Sequence, residues 1–122
     1  MRRYSVSILP NLSPESEDQP IAALIRDVDG RLIGGIQANI YWDGLEVEVL
    51  WVDDEYRQHG LGSKLLTAVE HRARDHGAVV AHLKTVMARA FYEKHQYVVY
   101  GVLEDRPIGT SLYHMKKRLD RT

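Results

Sequence analysis

The chain contains no cysteine. Disulfides and thiolate metal ligands are excluded, and so is a cysteine nucleophile. An excess of charge of either sign is also missing: 16 Lys and Arg stand against 17 Asp and Glu, for a formal net charge of −1. A nucleic-acid binder carries a basic face. The basic cluster here is "KKRLDR", residues 116–121, and a solvated terminal strand accounts for it. No apolar run approaches the roughly 20 residues a membrane span needs. The N-terminal "MRRYSVSILP" joins two arginines to an apolar stretch too short for a secretory signal. These absences leave a cytoplasmic protein without nucleic acid or membrane partners as the expectation. The 6 histidines make no metal pattern. His71 and His76 fall on different helix faces, and no H-E-x-x-H occurs, so no metal is expected.

What is present is ordinary for a globular chain. The 122 residues, 44% apolar and 27% charged, suit one compact domain over 1–122 with a single core. "RRYSVSIL" alternates Tyr4, Val6 and Ile8 with Ser5 and Ser7, as a strand does. "PNLSPESEDQP" is polar and proline-rich and reads as a loop. "IAALIRD", "LIGGIQANIYW" and "LEVEVLWV" then read as an antiparallel meander, joined by Asp-Gly turns at "DVDGR" and "WDGL". Gly34 and Gly35 signal a bulge or close packing.

The period changes at Gly60. Leu61, Leu65, Ala68, Val69 and Ala73 form a helical stripe, and Gly77 is placed for a left-handed C-terminal cap. "AVVAHLKT", "YVVYGVLED" and "TSLYHMKKRL" read as strands and "ARAFYEKH" as a short helix. The expected fold class is α+β, a mixed, mostly antiparallel central sheet flanked by helices, with a strand–helix–strand unit at its centre. An exposed edge strand at the C-terminus is compatible with a homodimer.

The stretch "DEYRQHGLGSKLL", residues 54–66, puts two glycines at a helix mouth. A helix N-terminus offers unpaired N–H donors and a partial positive charge, which suits an anion. The spacing fits neither a Walker P-loop nor a dinucleotide fingerprint, whose third glycine position is Leu65 here. "RQHGLG" does fit Arg-x-x-Gly-x-Gly after an apolar strand. This resembles the pyrophosphate-binding motif of the GNAT N-acetyltransferase superfamily. "LWVDDEYRQHGLGSKLL" is similar to that family's central strand, loop and helix, and "FYEKHQYVVYGVLED" to its later helix and strand. The similarity spans about residues 20–119. Three departures stand out. The connection between the first two strands leaves almost no room for the family's helices there. The segment from Thr85 to Phe91 looks short, and Gln96 stands where a glycine commonly ends the later helix.

The resemblance implies acetyl transfer from acetyl-CoA to a primary amine by direct attack. Backbone groups of Gln58, His59, Gly60, Leu61, Gly62 and Ser63 would hold the pyrophosphate, with side chains free to vary at Gln58, His59 and Leu61. Arg57 would order the loop or add charge. Leu50, Trp51 and Val52 would pair with the pantetheine through their backbone, and Tyr92 would protonate the leaving thiolate. From the residues themselves, period two in "LEVEVLWV" puts Leu45, Val47, Val49 and Trp51 on one face. Glu46 and Glu48 share the other with Leu50 and Val52. Two unpaired carboxylates are costly to bury, so that face should meet water or substrate. Glu48 is the first choice of base and Glu46 the second, with a solvated face as the alternative. His82 reads as a core histidine, Tyr113 as a packing residue and Ser63 as a helix opener. The acceptor is a small-molecule or protein amine, and the carboxylates favour a cationic one. A non-catalytic acyl-CoA-binding or protein-interaction module on the same fold is the alternative function.

Overall fold

The computed structural model describes residues 4–8 and 18–120. Most of the expected proline-rich loop lies outside the described residues. Strand β1 is Tyr4–Ile8, β2 Gln19–Asp27, β3 Leu32–Tyr41 and β4 Gly44–Val52. A short 3-10 segment, Asp54–Tyr56, leads to helix α1, Leu61–Asp75. Then come β5 Val80–Thr85, α2 Arg89–Lys94, β6 Val98–Glu104 and β7 Ser111–Arg118. The strands make one seven-stranded sheet in the order β1-β2-β3-β4-β5-β7-β6. Every neighbouring pair is antiparallel except β4 with β5, which flank α1 and run parallel.

Four of the five residues of the expected helical stripe are buried; Ala68 is only half-buried, and Leu66 joins the core instead. Leu61, Leu65, Leu66, Val69 and Ala73 are buried in one apolar cluster with Ile25, Ile36, Ala38 and Leu45. A fully buried leucine contributes about 1.5–3 kcal/mol. Gly77 takes φ +84° just past the helix, as a left-handed cap requires. Glu70, 4% exposed, is the charged member of the buried set among the described residues. Its carboxylate accepts from Tyr97 Oη at 2.7 Å and from Lys117 Nζ at 2.9 and 3.1 Å. These bonds lash α1 to β7 and to the segment leaving α2. Short α2 lies at the opening of α1, where the Phe91 ring covers Gly62.

Several expectations need correction. The turn after β3 is centred on Trp42 and Asp43, at φ +50° and +59°, not on Asp43 and Gly44. Gly44 is already in ladder, opposite both Tyr41 and Val80, so the two preceding residues must make the left-handed turn. The last strand is not an edge: β7 is inserted between β5 and β6, and the edges are β1 and β6. Lys117 of the basic cluster is tied to Glu70 rather than solvated. His82 is half-buried opposite Glu46 and is not a core residue. Gly34 and Gly35 answer to close packing on opposite faces. A Cβ on Gly35 would lie 2.9 Å from Trp51 Nε1, and one on Gly34 would meet Leu65 at 3.4 Å.

The largest correction concerns β4. Val47 pairs with Ala38 and Val49 with the adjacent Gln37, so Glu48 is an extra residue, a bulge. The bulge resets the alternation. Leu45, Val47, Leu50 and Val52 belong to the helix-covered face. Val49 and Trp51, 48% and 40% exposed, turn to the opposite face. Glu46 and Glu48 therefore do not share a face with Leu50 and Val52.

Candidate active site

The bulge coincides with a break in the sheet. The β4–β5 ladder runs from Gly44↔Val80 to Val47↔Leu83 and stops there. Beyond it β5 continues alongside β7 through Lys84↔His114 and Thr85↔Tyr113, while β4 continues alongside β3 to Val52↔Gly34. The two parallel strands part and leave a gap with its apex at Val47 and Glu48. A bulge bends its strand and sharpens the local twist, which is the physical cause of the parting. The Asp53 N–H donates to Ile33 O at 2.8 Å. Backbone alternation then turns the amide groups of Leu50 and Val52 into the gap and those of Trp51 toward β3. Of the three residues expected to pair with a pantetheine, two present their backbone there. Trp51 instead lays its indole over Gly35 on the uncovered face.

At the open end of the gap the chain makes the glycine turn. Gln58 and Gly60 both take φ +73°. Gly60 is the N-cap of α1 and offers no side-chain cap. Lys64 N–H is the first to bond back into the turn, to Gly60 O at 3.1 Å. Among the described residues, none of the amides from Gln58 through Ser63 donates to a protein acceptor. A Cβ on Gly60 would meet nothing within 4 Å, so the space before these donors is open. Unpaired amides at a helix N-terminus form an anion cradle. Arg57 ties this turn to the gap: its Nε donates to Val52 O at 3.3 Å and pairs with Asp54 at 3.1 Å. It is well exposed, so its ion pair adds little stability. Arg31 holds Asp53 and Glu55 at 3.0 and 3.3 Å and pins the acidic approach to the turn.

Two side chains of the turn are less free than expected. Leu61 is 1% exposed and belongs to the core, so only its backbone can serve a ligand. Gln58 carries the left-handed backbone that favours glycine or asparagine. His59 is exposed, its ring 6.3 Å from that of Tyr56. Ser63 does more than open the helix. Its Oγ lies 2.8 Å from Nε2 of His95, which caps the C-terminal end of α2.

Tyr92 is 6% exposed on α2, edge-on to Phe91 at 5.0 Å and to Tyr97 at 5.6 Å. Burial alone pushes its phenol pKa up to about 12. Its ring is fixed by packing, and among the described residues its hydroxyl has no hydrogen-bond partner. Gln96, at φ +69°, turns the chain out of α2 as the expected glycine would, so the helix still ends in a left-handed residue. Tyr113 packs against the core beneath Arg89, 5.0 Å away.

Both described helices lie on one face of the sheet. The other face carries Gln37, Glu46, Val49, Trp51 and His82. Glu46 is half-buried one step before the apex of the gap, and Glu48 is exposed at the apex itself. Beside Glu46, Asn39 keeps a buried side-chain oxygen without a hydrogen-bond partner. His95 and Asn39 are functional candidates that the sequence alone does not single out. Only the i, i+3 spacing of His95 from Tyr92 on one short helix hinted at the first, and Asn39 gave no local signal.

The model of the Acetyltransferase (GNAT) family matches residues 3–97. The blasticidin-S acetyltransferase of Streptomyces morookaense is 34% identical over 93 residues, which cover 74% of this chain and 68% of that protein. An acetyltransferase from Bacillus cereus, known from its crystal structure, is 34% identical with a TM-score of 0.80, over 83% of this chain and 74% of that one. An aminoglycoside 6′-N-acetyltransferase, solved with coenzyme A, shares the fold at 21% identity and a TM-score of 0.73, over 88% of this chain and 76% of that one. With the split sheet and the row of free amides in place, the chain belongs to the GNAT family and is an acetyltransferase acting on an amine.

Proposed function

We propose that this enzyme takes acetyl-CoA in the gap between β4 and β5 and passes the acetyl group directly to an amine arriving from the uncovered face. The observation that carries the reading is the run of unpaired amides from Gln58 to Ser63 at the mouth of that gap. It offers donors to a pyrophosphate at one end. Leu50 and Val52 offer strand-like pairing to a pantetheine amide further in.

The chemistry asks for three things. An amine must be neutral to attack, and a free lysine-type amine has a pKa near 10.4. Glu48, at the apex, would take its proton directly or through water, with Glu46 and the Asn39 oxygen holding the amine before it loses that proton. The tetrahedral oxyanion needs a donor aimed at it, and a backbone N–H of β4 facing the gap can supply one. As the C–S bond breaks, the thiolate would take its proton from Tyr92 Oη. A phenol with a pKa near 12 keeps that proton at neutral pH. The acceptor is an amine with a cationic resting form, because two carboxylates and an unpartnered amide oxygen stand at the apex, with His82 and Gln37 as their neutral neighbours.

Calorimetric titration with acetyl-CoA tests the coenzyme half of the reading. The parent should bind, and Gly60→Glu should not, because its carboxylate would occupy the open space before the amides. Gly60→Asn, which tolerates the left-handed backbone, should keep binding. Released thiol, followed with an amine panel, then identifies the acceptor, and no protein thiol competes in the assay. A parent that fails to bind acetyl-CoA would overturn the proposal.

A further inference from the structure

The Ser63–His95 hydrogen bond joins side chains 32 residues apart at the mouth of the coenzyme site. Ser63 occupies the first turn of α1, among the unpaired amides. A serine hydroxyl has one proton to give and lone pairs to receive. If that proton went to His95, Ser63 would turn lone pairs toward the cradle and repel an anion there. If His95 Nε2–H donates instead, the Ser63 proton is free to reach the anion. A serine without such a partner has another choice, since its hydroxyl can bond locally to its own helix backbone.

The imidazole is held firmly enough to make that selection. Its ring is 4.9 Å from Phe91. Phe91 in turn lies against Gly62, where even a Cβ would sit 3.4 Å from the ring. Just beyond His95, Tyr97 N–H closes onto Tyr92 O at 3.1 Å and fixes the end of α2. His95 thus stands behind Ser63 in the wall of the cradle, with its Nε2 aimed at Oγ.

We propose that His95 is a positioning residue for the coenzyme: its Nε2–H engages Ser63 Oγ and so directs the Ser63 proton to the pyrophosphate. This rests on the coenzyme reading above. A hydrogen bond to a charged acceptor is worth more than one to a neutral acceptor, so the effect belongs to the pyrophosphate and not to the pantetheine arm.

The test compares dissociation constants for coenzyme A and for pantetheine, which lacks the pyrophosphate, in the folded parent and in variants. His95→Leu should reduce the preference for coenzyme A over pantetheine about tenfold. Ser63→Ala should reduce it by a similar factor, and the double variant by no more than either single one. His95→Gln, whose amide can donate from nearly the same place, should restore most of it. The proposal is overturned if His95→Leu keeps the parent's preference. Equal weakening toward both ligands would overturn it too, since that would mark a purely structural role for α2. So would additive losses in the double variant, or a glutamine that behaves like leucine. A parent that binds neither ligand would instead bring down the coenzyme reading itself.

Discussion

Replacing Lys117 by methionine should cost this protein more than most single changes. The lysine Nζ sits 2.9 Å from Glu70, and the side chains are only 14% and 5% exposed. Without the ammonium, the carboxylate stays in the interior with Tyr97 as its remaining donor at 2.7 Å. Breaking a buried pair by removing one partner costs about 3–5 kcal/mol. The small opening to solvent at Lys117 argues for the lower end, about 3 kcal/mol. Unfolding entropy of about 2.1 cal/mol/K per residue, over 122 residues, gives about 0.26 kcal/mol/K. The melting temperature should therefore drop by about 12 °C, measured by circular dichroism at neutral pH. The triple variant Glu70→Leu, Tyr97→Phe, Lys117→Met removes both charges and the buried hydroxyl that would lose its acceptor, and should recover more than half of that loss, because apolar side chains can replace a buried ion pair. A single variant that melts within about 3 °C of the parent would refute the reasoning, as would a triple variant less stable than the single one.

Other expectations concern Tyr92 and the bulge. Tyr92→Phe should lower kcat by about a hundredfold or more in the thiol-release assay, with the fold intact. The same variant should change the alkaline stability curve. An unfolded tyrosine loses its proton near pH 10, whereas folded Tyr92 holds it to about 12. The folded state binds more protons across that window, so the stability from this group is full below pH 10 and is lost as pH rises toward 12. The fall should be shallower in Tyr92→Phe, and parallel curves would contradict the assignment. Deleting Glu48 should let β4 run as a regular strand alongside β5, leaving the protein folded and unable to bind acetyl-CoA. Glu48→Ala keeps the extra residue and should still bind. Binding by the deletion variant would show that the bulge does not open the gap.

The parts of this molecule written in local pattern were legible from the sequence. The 3.6-residue stripe from Leu61 to Ala73 and the left-handed cap at Gly77 need only neighbours in the chain, and both are present. The glycine turn was legible for the same reason. The bulge was not, because one extra residue leaves period two intact on either side and shifts only the phase between them. Reading "LEVEVLWV" as unbroken alternation therefore put Val49 and Trp51 on the wrong face. The insertion of β7 between β5 and β6 is a choice among strand pairings, and no residue within β7 announces it. The link from Ser63 to His95 depends on how α2 docks on α1, which neither segment encodes alone.

The split sheet has a consequence for how the protein comes apart. Among the described residues, strands β1 to β4 form one hydrogen-bonded half and β5, β7 and β6 the other, and backbone pairing joins them over a short stretch, from the Val79 N–H on Asp43 O at 2.8 Å to Val47 beside Leu83. The mechanical seam of the fold thus runs through its middle, with α1 and the Glu70 lashings as its braces. A molecule seated in the gap would act as a missing strand and stitch the halves together. At a hundred times its dissociation constant, such a ligand adds about 2.7 kcal/mol to stability. Amide exchange in Leu50 and Val52 should slow most on binding, and proteases that act through opening of the seam should lose their access.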